Sequence, residues 1–412
     1  MRILIAGTTY LPALNGQAIF TTNLAEGLAA RGHDVTVLFP EPHDVSRLQN
    51  GVRLETVAAL DLSFLHTESY LPLTFGKVRR VIDDFKPEVV HIQDHYPLSV
   101  AVVREARKRG LPVMGTNHYS PASLEPYLPS AAWLKPLLDR VLWWWMLRLY
   151  RTLDFVVAPS PAAVNMLRQQ GLRVPSQAVS CGTDLSRFYP DPNVDRAGCR
   201  RQYGLDPDRK IFLYVGRVDQ EKRIDVLLHA IHLLAREDAQ LAIAGQGAAL
   251  HQLQRMAREL QLGDRVRFAG RVLNQDLNRL LNSVDAFAMA GEAESLSIAS
   301  LEALASGKPV LLADAFALPQ LVTQGVNGYL FKSGDAADAA RYMEILLSQS
   351  DRWTEMGRAS MEQVKPHSLD QTLERYTTLY VQLLEGTPSL EPAPAPVVVN
   401  RGPEIAHRNG RP

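Results

Sequence analysis

Met1-Arg-Ile-Leu-Ile-Ala-Gly7 opens the chain with a short apolar run that stops at the polar pair Thr8 and Thr9. A helical pattern from about Ala18 to Ala30 follows, and then the β-branched run Val35 to Phe39. A short apolar run, a 3.6-residue periodicity and a second short run read together as a βαβ unit. The first run is too short for a secretory leader and is expected to be a buried strand. Working outward, the alternation continues with Glu88 to Ile92, a helix near Leu98 to Lys108, Pro112 to Thr116, a long helix near Ala132 to Arg151, and Asp154 to Ala158. These runs predict a mostly parallel sheet with helices on both faces.

From Ser186 to Lys210 the pattern dissolves into Asp, Pro, Gly and Arg, with turn clusters at Tyr189-Pro-Asp-Pro-Asn193 and Leu205-Asp-Pro-Asp208. A domain junction is expected there. A second βα series then begins with Ile211 to Val215 and a helix from about Ile224 to Arg236. It runs on through Leu241 to Ala244, a helix near Ala248 to Leu260, Val266 to Phe268, Asp285 to Ala288, a helix from about Ser295 to Ala305, and Pro309 to Leu312. The fold class is therefore α/β, with two doubly wound domains at 1–185 and 186–365 and a cleft where strand carboxyl ends can bind ligand. Residues 366–385 are expected to form a C-terminal helix crossing back to the first domain. The Pro-rich stretch 386–412 is expected to be a disordered tail.

With 412 residues the chain exceeds one ordinary core of roughly 100 to 200, in keeping with two domains. Lys plus Arg and Asp plus Glu both number 44, so no net field draws the molecule to nucleic acid or an anionic membrane, and any attraction must be local. Cys181 and Cys199 are the only cysteines and show neither metal-ligand nor redox spacing, which fits a reducing cytoplasm. No apolar run approaches the roughly 18 residues of a membrane span, which leaves surface attachment open.

Glu294-Ser-Leu-Ser-Ile-Ala-Ser-Leu-Glu302 continues into Ala303-Leu-Ala-Ser-Gly307-Lys-Pro-Val310. A helix beginning near Ser295 would put the two carboxylates at its opposite ends, about 12 Å apart at 1.5 Å per residue. They can then hold two parts of one elongated ligand, and the helix's positive end would face an anion beside Glu294. An amphipathic helix with solvated ends gives the same pattern. In Phe212-Leu-Tyr-Val-Gly216-Arg217-Val-Asp-Gln-Glu-Lys222-Arg223 a strand ends at Gly216, where no Cβ keeps a phosphate from the backbone. Arg217 and Lys222 add positive charge at that turn, to hold a diphosphate or simply to cap a loop.

The loop Gly7-Thr-Thr-Tyr-Leu-Pro12-Ala-Leu-Asn15-Gly16-Gln17 lacks the G-x-G-x-x-G dinucleotide fingerprint. Asn15 and Gly16 tolerate positive φ and suit a tight turn, either for a phosphate or for packing alone. His118 in Gly115-Thr-Asn-His118-Tyr, with Asp94 and His95 in His91-Ile-Gln-Asp94-His95, follows a strand, so polar side chains converge at carboxyl ends. His91 and His95 would need a helix to share a metal, and Asp206-Pro-Asp208 reads as a turn, so no metal is expected. On the long helix Leu138, Leu142, Trp145 and Leu149 form one stripe, and Arg140, Trp144, Arg148 and Arg151 another. Outward tryptophan among arginines suits a headgroup interface, and a core helix with one solvated edge is the alternative.

In combination these motifs resemble glycosyltransferase family 4, whose members are retaining enzymes of GT-B architecture, two Rossmann-like domains facing a central cleft, with nucleotide-sugar donors. The resemblance is carried by Glu294 and Glu302 with Ala303 to Val310, by Gly216-Arg217 through Lys222, and by Ala244-Gly245-Gln-Gly247, Cys181-Gly182-Thr-Asp184 and Asn327-Gly328-Tyr-Leu-Phe331. It covers nearly everything up to about Leu384. It implies that Glu302 holds the ribose hydroxyls, that Arg217 and Lys222 hold the diphosphate, and that Glu294 with the backbone of Leu296, Ser297 and Ile298 holds the sugar. His118 would touch the sugar near the reacting carbon, and Gly16 and Gly216 would border the phosphates. It further implies front-side attack with the leaving phosphate as base, and no cofactor. Many members have a glycine pair where Asn15-Gly16 stands and a glycine at Ser297.

Thr116-Asn-His118-Tyr, the downstream Tyr127-Leu-Pro129, and Glu294-Ser-Leu-Ser-Ile-Ala resemble a subset that glycosylates diacylglycerol or related lipids. A hexose from UDP-glucose or UDP-galactose would then pass to a lipid at the cytoplasmic membrane face, with no nucleic-acid partner. GDP-mannose as donor, or a soluble sugar acceptor, is the alternative within enzymes. A nucleotide-sugar isomerase and a non-catalytic binder are the other classes.

Overall fold

The computed structural model describes residues 1–11, 15–61, 70–72, 76–119 and 135–386. The tail beyond Gly386, the Tyr127-Leu-Pro129 motif, Pro12 and the start of the long helix at Ala132 lie outside the described residues. The first half contains β1 (Arg2–Ala6), α1 (Gly16–Ala30), β2 (Asp34–Glu41), β3 (Ser46–Gln49), β4 (Val52–Asp61), β5 (Tyr70–Pro72), α2 (Gly76–Phe85), β6 (Val89–Ile92) and α3 (Pro97–Lys108). It is completed by β7 (Val113–Thr116), α4 (Lys135–Tyr150), β8 (Phe155–Ala158), α5 (Pro161–Gln169) and β9 (Ser176–Ala178). Its strands run in the order β3-β4-β2-β1-β6-β7-β8-β9, with β5 also on β4. All pairs are parallel except those of β4 with β3 and β5.

The second half contains α6 (Arg196–Gln202), β10 (Lys210–Val215), α7 (Ile224–Leu233), β11 (Ala239–Ala244), α8 (Leu250–Glu259), β12 (Val266–Gly270), α9 (Leu277–Ser283), β13 (Ala286–Met289) and α10 (Ile298–Ala305). It continues with β14 (Val310–Asp314), β15 (Gly328–Lys332), α11 (Ala336–Ser348), α12 (Trp353–Val364) and α13 (Leu369–Leu384). Its sheet is wholly parallel, in the order β12-β11-β10-β13-β14-β15.

Both sheets are covered on two faces, which is why their central strands read as unbroken apolar runs. In β1, Ile3 and Ile5 face the cluster containing Phe20 and Leu24 of α1. Leu4 and Ala6 face Val78 of α2 and Val102 of α3. Burying Ile3, Leu4 and Ile5 contributes on the order of 5 to 9 kcal/mol, taking about 1.5 to 3 kcal/mol for each large side chain.

The edge hairpin β3–β4 carries no long apolar run and escapes the alternation rule. Its turn is Asn50-Gly51, both with positive φ (50° and 78°), the pairing favoured in two-residue hairpins. Three helix boundaries also differ from the pattern. α10 begins at Ile298 rather than near Ser295, α7 ends at Leu233 rather than Arg236, and α4 ends at Tyr150, so Arg151 lies just beyond it.

After α12 the chain returns to the first half. The Thr183 N–H donates to the His367 carbonyl (2.9 Å) and the Leu369 N–H to the Thr183 carbonyl (2.8 Å). Gly182 has φ +74°, and a Cβ there would lie 2.9 Å from the Leu369 backbone, so glycine is required at this crossing. α13 then lays Tyr376 and Tyr380 against β6 and β7: Tyr380 Oη is 2.7 Å from His91 Nδ1, and Tyr376 Oη is 3.0 Å from Thr116 Oγ1.

Candidate active site

The carboxyl end of the second sheet is built by close backbone packing. The Tyr214 hydroxyl, fully buried at the end of β10, donates to the Arg217 carbonyl (2.6 Å) and pulls the following loop down. A Cβ on Gly245 would lie 1.8 Å from the Gly216 carbonyl oxygen, and one on Gly247 would lie 2.4 Å from that of Val218. The loops after β10 and β11 can stack only because both residues are glycine.

On this base sits a charge cluster. Arg217 binds Asp219 Oδ2 (2.5 Å) and Glu221, while the other Asp219 oxygen accepts from the Ala248 N–H (2.9 Å). Lys222 Nζ lies 2.8 Å from Glu294 Oε1 and 3.5 Å from Glu221 Oε1. Burial opposes the Lys222 charge, but Glu294 and Glu221 outweigh it and hold the ammonium above its ordinary value. Arg223, left-handed at φ 48°, caps α7 and binds Glu292, so two ion pairs join the loop after β10 to the loop before α10. Arg217 and Lys222 are thus already engaged by carboxylates, and an arriving diphosphate would have to take Lys222 from Glu294.

The two carboxylates predicted at opposite ends of one helix are placed otherwise. Glu294 precedes α10 in a loop, and Glu302 lies within the helix. Ser297 is the N-cap, its hydroxyl accepting from the Ser300 N–H (3.2 Å), and Leu296 and Ile298 are buried beside it. A polar cap in a Ser-Leu-Ser run shifts the start of a helix by this much. Glu302 is 6% exposed. Among the described residues its carboxylate makes no hydrogen bond or ion pair. Burial pushes it up to about 8, against a smaller downward pull from Arg187.

At the first sheet's carboxyl end Asp94 organises the loops. Its Oδ2 accepts from the Thr8 N–H (2.6 Å) and Gln17 Nε2 (3.1 Å), and its Oδ1 from the Tyr96 N–H (3.1 Å) and the Ser99 hydroxyl (2.7 Å). The Asn15-Gly16 turn differs from expectation. Asn15 is extended (φ −116°) and caps α1, its Oδ1 accepting from the Ala18 N–H (2.8 Å). Gly16 is exposed at the start of α1 and has open space where a Cβ would be.

His118 Nε2 is 3.0 Å from Gln93 Oε1, and its ring packs on Phe20 at 4.8 Å. Burial lowers it to about 3, so the imidazole is neutral near pH 7. The next residue, Tyr119, has its phenol raised by burial and also by the Glu221 carboxylate of the second half. The Glu221 carboxylate beside Lys222 is thus within electrostatic reach of Tyr119, the residue that follows His118. His91 and His95 share no site. Both ring nitrogens of His91 are engaged, and the His95 ring packs among Tyr96, Tyr119 and Trp145.

Comparison with known proteins places this geometry. A family model described as Glycosyltransferase Family 4 matches residues 14–187, and one described as Glycosyl transferases group 1 matches residues 195–363. A GDP-mannose-dependent alpha-mannosyltransferase of Mycobacterium tuberculosis is 30% identical over 342 residues, 81% of this chain and 85% of that protein. The chain belongs to glycosyltransferase family 4. An alpha-monoglucosyldiacylglycerol synthase of Streptococcus pneumoniae is 24% identical to this glycosyltransferase over 356 residues, 85% of the chain and 79% of the synthase. The solved sucrose-phosphate synthase of Thermosynechococcus elongatus shares its fold, with a TM-score of 0.79 over 94% of this chain and all of that one at 22% identity. The family 4 enzyme thus has GT-B architecture.

On the glycosyltransferase's outer surface Trp144 is 56% exposed, with the Arg148 guanidinium 5.5 Å over its ring, and Arg140 and Arg151 are exposed nearby. Leu137 (58%) and Val141 (50%) extend this stripe along α4 and were absent from the sequence-based set. The buried face is Met146, Leu147, Leu149 and Tyr150, while Leu138, Leu142 and Trp145 are half-buried. Among the described residues no helix is long and apolar enough to cross a membrane. Tyr214, Gln93 and the Arg223–Glu292 pair were likewise missed. Gln93 and Tyr214 stand in strand-end runs already singled out, whereas nothing in the sequence joins Arg223 to Glu292.

Proposed function

We propose that this family 4 enzyme transfers a hexose, with retention, from UDP-glucose or UDP-galactose to a lipid acceptor such as diacylglycerol at the cytoplasmic membrane face. The observation that supports the donor site is Glu302, a buried carboxyl group with no side-chain hydrogen bond or ion pair among the described residues, on the helix that follows the Lys222–Glu294 pair. Ribose hydroxyls would supply the two donors it lacks. The diphosphate would lie against Lys222, Arg217 and the Gly216 turn, with Gly16 bordering it from the other half. The sugar would meet Glu294 and the backbone of Leu296, Ser297 and Ile298.

As the bond from the anomeric carbon to the phosphate oxygen breaks, negative charge grows on the diphosphate, and Lys222 and Arg217 stabilise it more strongly than in the ground state. The acceptor oxygen bonds to that carbon from the same face and passes its proton to the leaving phosphate oxygen. Neutral His118 lies beside the sugar and can hydrogen-bond a hydroxyl without adding charge. No cofactor enters these steps.

The stripe Leu137, Val141, Trp144 with Arg140, Arg148 and Arg151 supports a lipid surface as the acceptor side, by apolar burial and attraction to anionic headgroups. The pneumococcal relative's name supports the same acceptor class. GDP-mannose is the second reading, favoured by the 30% identical mannosyltransferase. A donor panel of UDP-, GDP- and ADP-sugars with diacylglycerol vesicles, reading nucleotide release and lipid mass, decides between them. Neither transfer nor donor hydrolysis by folded protein would defeat both.

A further inference from the structure

We propose that Gln93 is a positioning residue that fixes the tautomer and ring orientation of His118, and that the C-terminal helix α13 sets Gln93 in turn through His91. The functional weight of this proposal rests on the reading that His118 lies beside the donor sugar.

A continuous polar chain runs from α13 to that ring. Tyr380 Oη is 2.7 Å from His91 Nδ1, and His91 Nε2 is 2.7 Å from Thr116 Oγ1, which lies 3.0 Å from Tyr376 Oη. The Gln93 carboxamide bridges the two histidines: its Nε2 lies over the His91 ring, 3.2 Å from Nε2 and 3.4 Å from Nδ1, and its Oε1 is 3.0 Å from His118 Nε2. With the amide in this orientation its oxygen can only accept, and the geometry thereby assigns the His118 hydrogen to Nε2. The ring is neutral, and Nδ1 is therefore left as a lone-pair acceptor for a hydroxyl. Tyr380 and Thr116 hold the His91 ring in place, and an amide N–H group suits its electron-rich face where an amide oxygen would not, so the ring sets which way the amide points.

The backbone makes room for this arrangement. The Gln93 N–H donates to the Ala6 carbonyl (2.8 Å), and a Cβ on Gly7 would sit 2.9 Å from the Gln93 Cβ. Packing restrains the same ring from its other side: Phe20 lies between His118 (4.8 Å) and Tyr376 (5.7 Å). Both restraints lead back to α13. α13 thereby restrains the orientation of His118 through the residues that lie between them.

The test is nitrogen NMR of the full chain with labelled histidine, alongside steady-state kinetics. The wild type should show His118 with a protonated Nε2 and a bare Nδ1. Gln93→Leu should mix the tautomers and lower kcat by about ten- to a hundred-fold, with the donor KM little changed. Gln93→Glu can only accept and should keep the hydrogen on Nε2. Tyr380→Phe should move the tautomer in the same direction as Gln93→Leu, and it keeps the test available if that variant does not fold. A hydrogen on Nδ1 in the wild type, or a tautomer unmoved by both Gln93→Leu and Tyr380→Phe, overturns the proposal. A shifted tautomer with unchanged kcat supports the positioning of the ring and refutes instead the placement of His118 beside the sugar.

Discussion

Replacing Glu302 with glutamine should stabilise the empty protein while weakening its grip on nucleotide. The carboxyl rises from 4.5 to about 8 on folding because burial removes the water that would solvate its charge. Between those values the folded chain holds a proton that the unfolded chain releases. The contribution of Glu302 to stability is thus complete below about pH 4.5, falls by about 1.4 kcal/mol per pH unit, and is gone above about pH 8. From about pH 5 to about pH 7.5 the loss comes to roughly 3 kcal/mol, which the neutral amide would not suffer. Guanidinium unfolding of wild type and Glu302→Gln at both pH values isolates this difference, since every other titrating group is common to the pair. A ribose diol donating to the carboxylate offsets the cost of its charge, so nucleoside diphosphate should displace a proton and bind more tightly as pH rises to about 8. Calorimetry in buffers of different ionisation enthalpy reads that proton directly. A stability gap between the two proteins that does not widen with pH would refute the burial argument, and equal nucleotide affinities would refute the ribose assignment.

Lys222→Ala should lower nucleoside diphosphate affinity by roughly ten- to a hundred-fold, the loss of one charge-assisted contact of about 1.5 to 3 kcal/mol, as measured by calorimetry. Gly245→Ala drives a Cβ to 1.8 Å from the Gly216 carbonyl, so the loops after β10 and β11 must separate, and nucleotide binding should fall with a lowered unfolding midpoint. Trp144→Ala with Arg148→Ala should reduce flotation with anionic vesicles while leaving unfolding within about 0.5 kcal/mol of wild type, because both side chains are exposed. His91 and His118 are buried neutral, with values lowered to about 3 by burial, so the unfolded chain binds more protons below about pH 6.5. Stability should therefore decline from about pH 6.5 toward pH 3, and a flat acid limb in circular-dichroism melts would contradict their burial.

The two sheets were legible because parallel strands buried on both faces carry an unbroken apolar run, as β1, β10 and β11 do. The short strands β3 and β5, which pair only with β4, escaped because neither carries such a run. The residues proposed for the donor side could be picked out as a set, since Arg217, Lys222, Glu294 and Glu302 stand in strand-end or helix-start strings. What spacing could not reveal was their pairing. Lys222 meets Glu294 across 72 residues of sequence, and Arg217 is held by neighbours that read as ordinary turn residues. The Asn15-Gly16 turn was misjudged for a local reason: Asn serves equally as an N-cap in extended geometry and as a left-handed residue, and only the following helix decides between them.

The chain passes between the two halves twice, and the passages are bonded side by side, with Thr183 tied to both His367 and Leu369 and the Ser180 hydroxyl to His367 Nδ1 at 2.9 Å. Two adjacent straps bonded in this way act as one joint. The hydrogen bonds of each hold the other, so a substitution that loosens one passage loosens both.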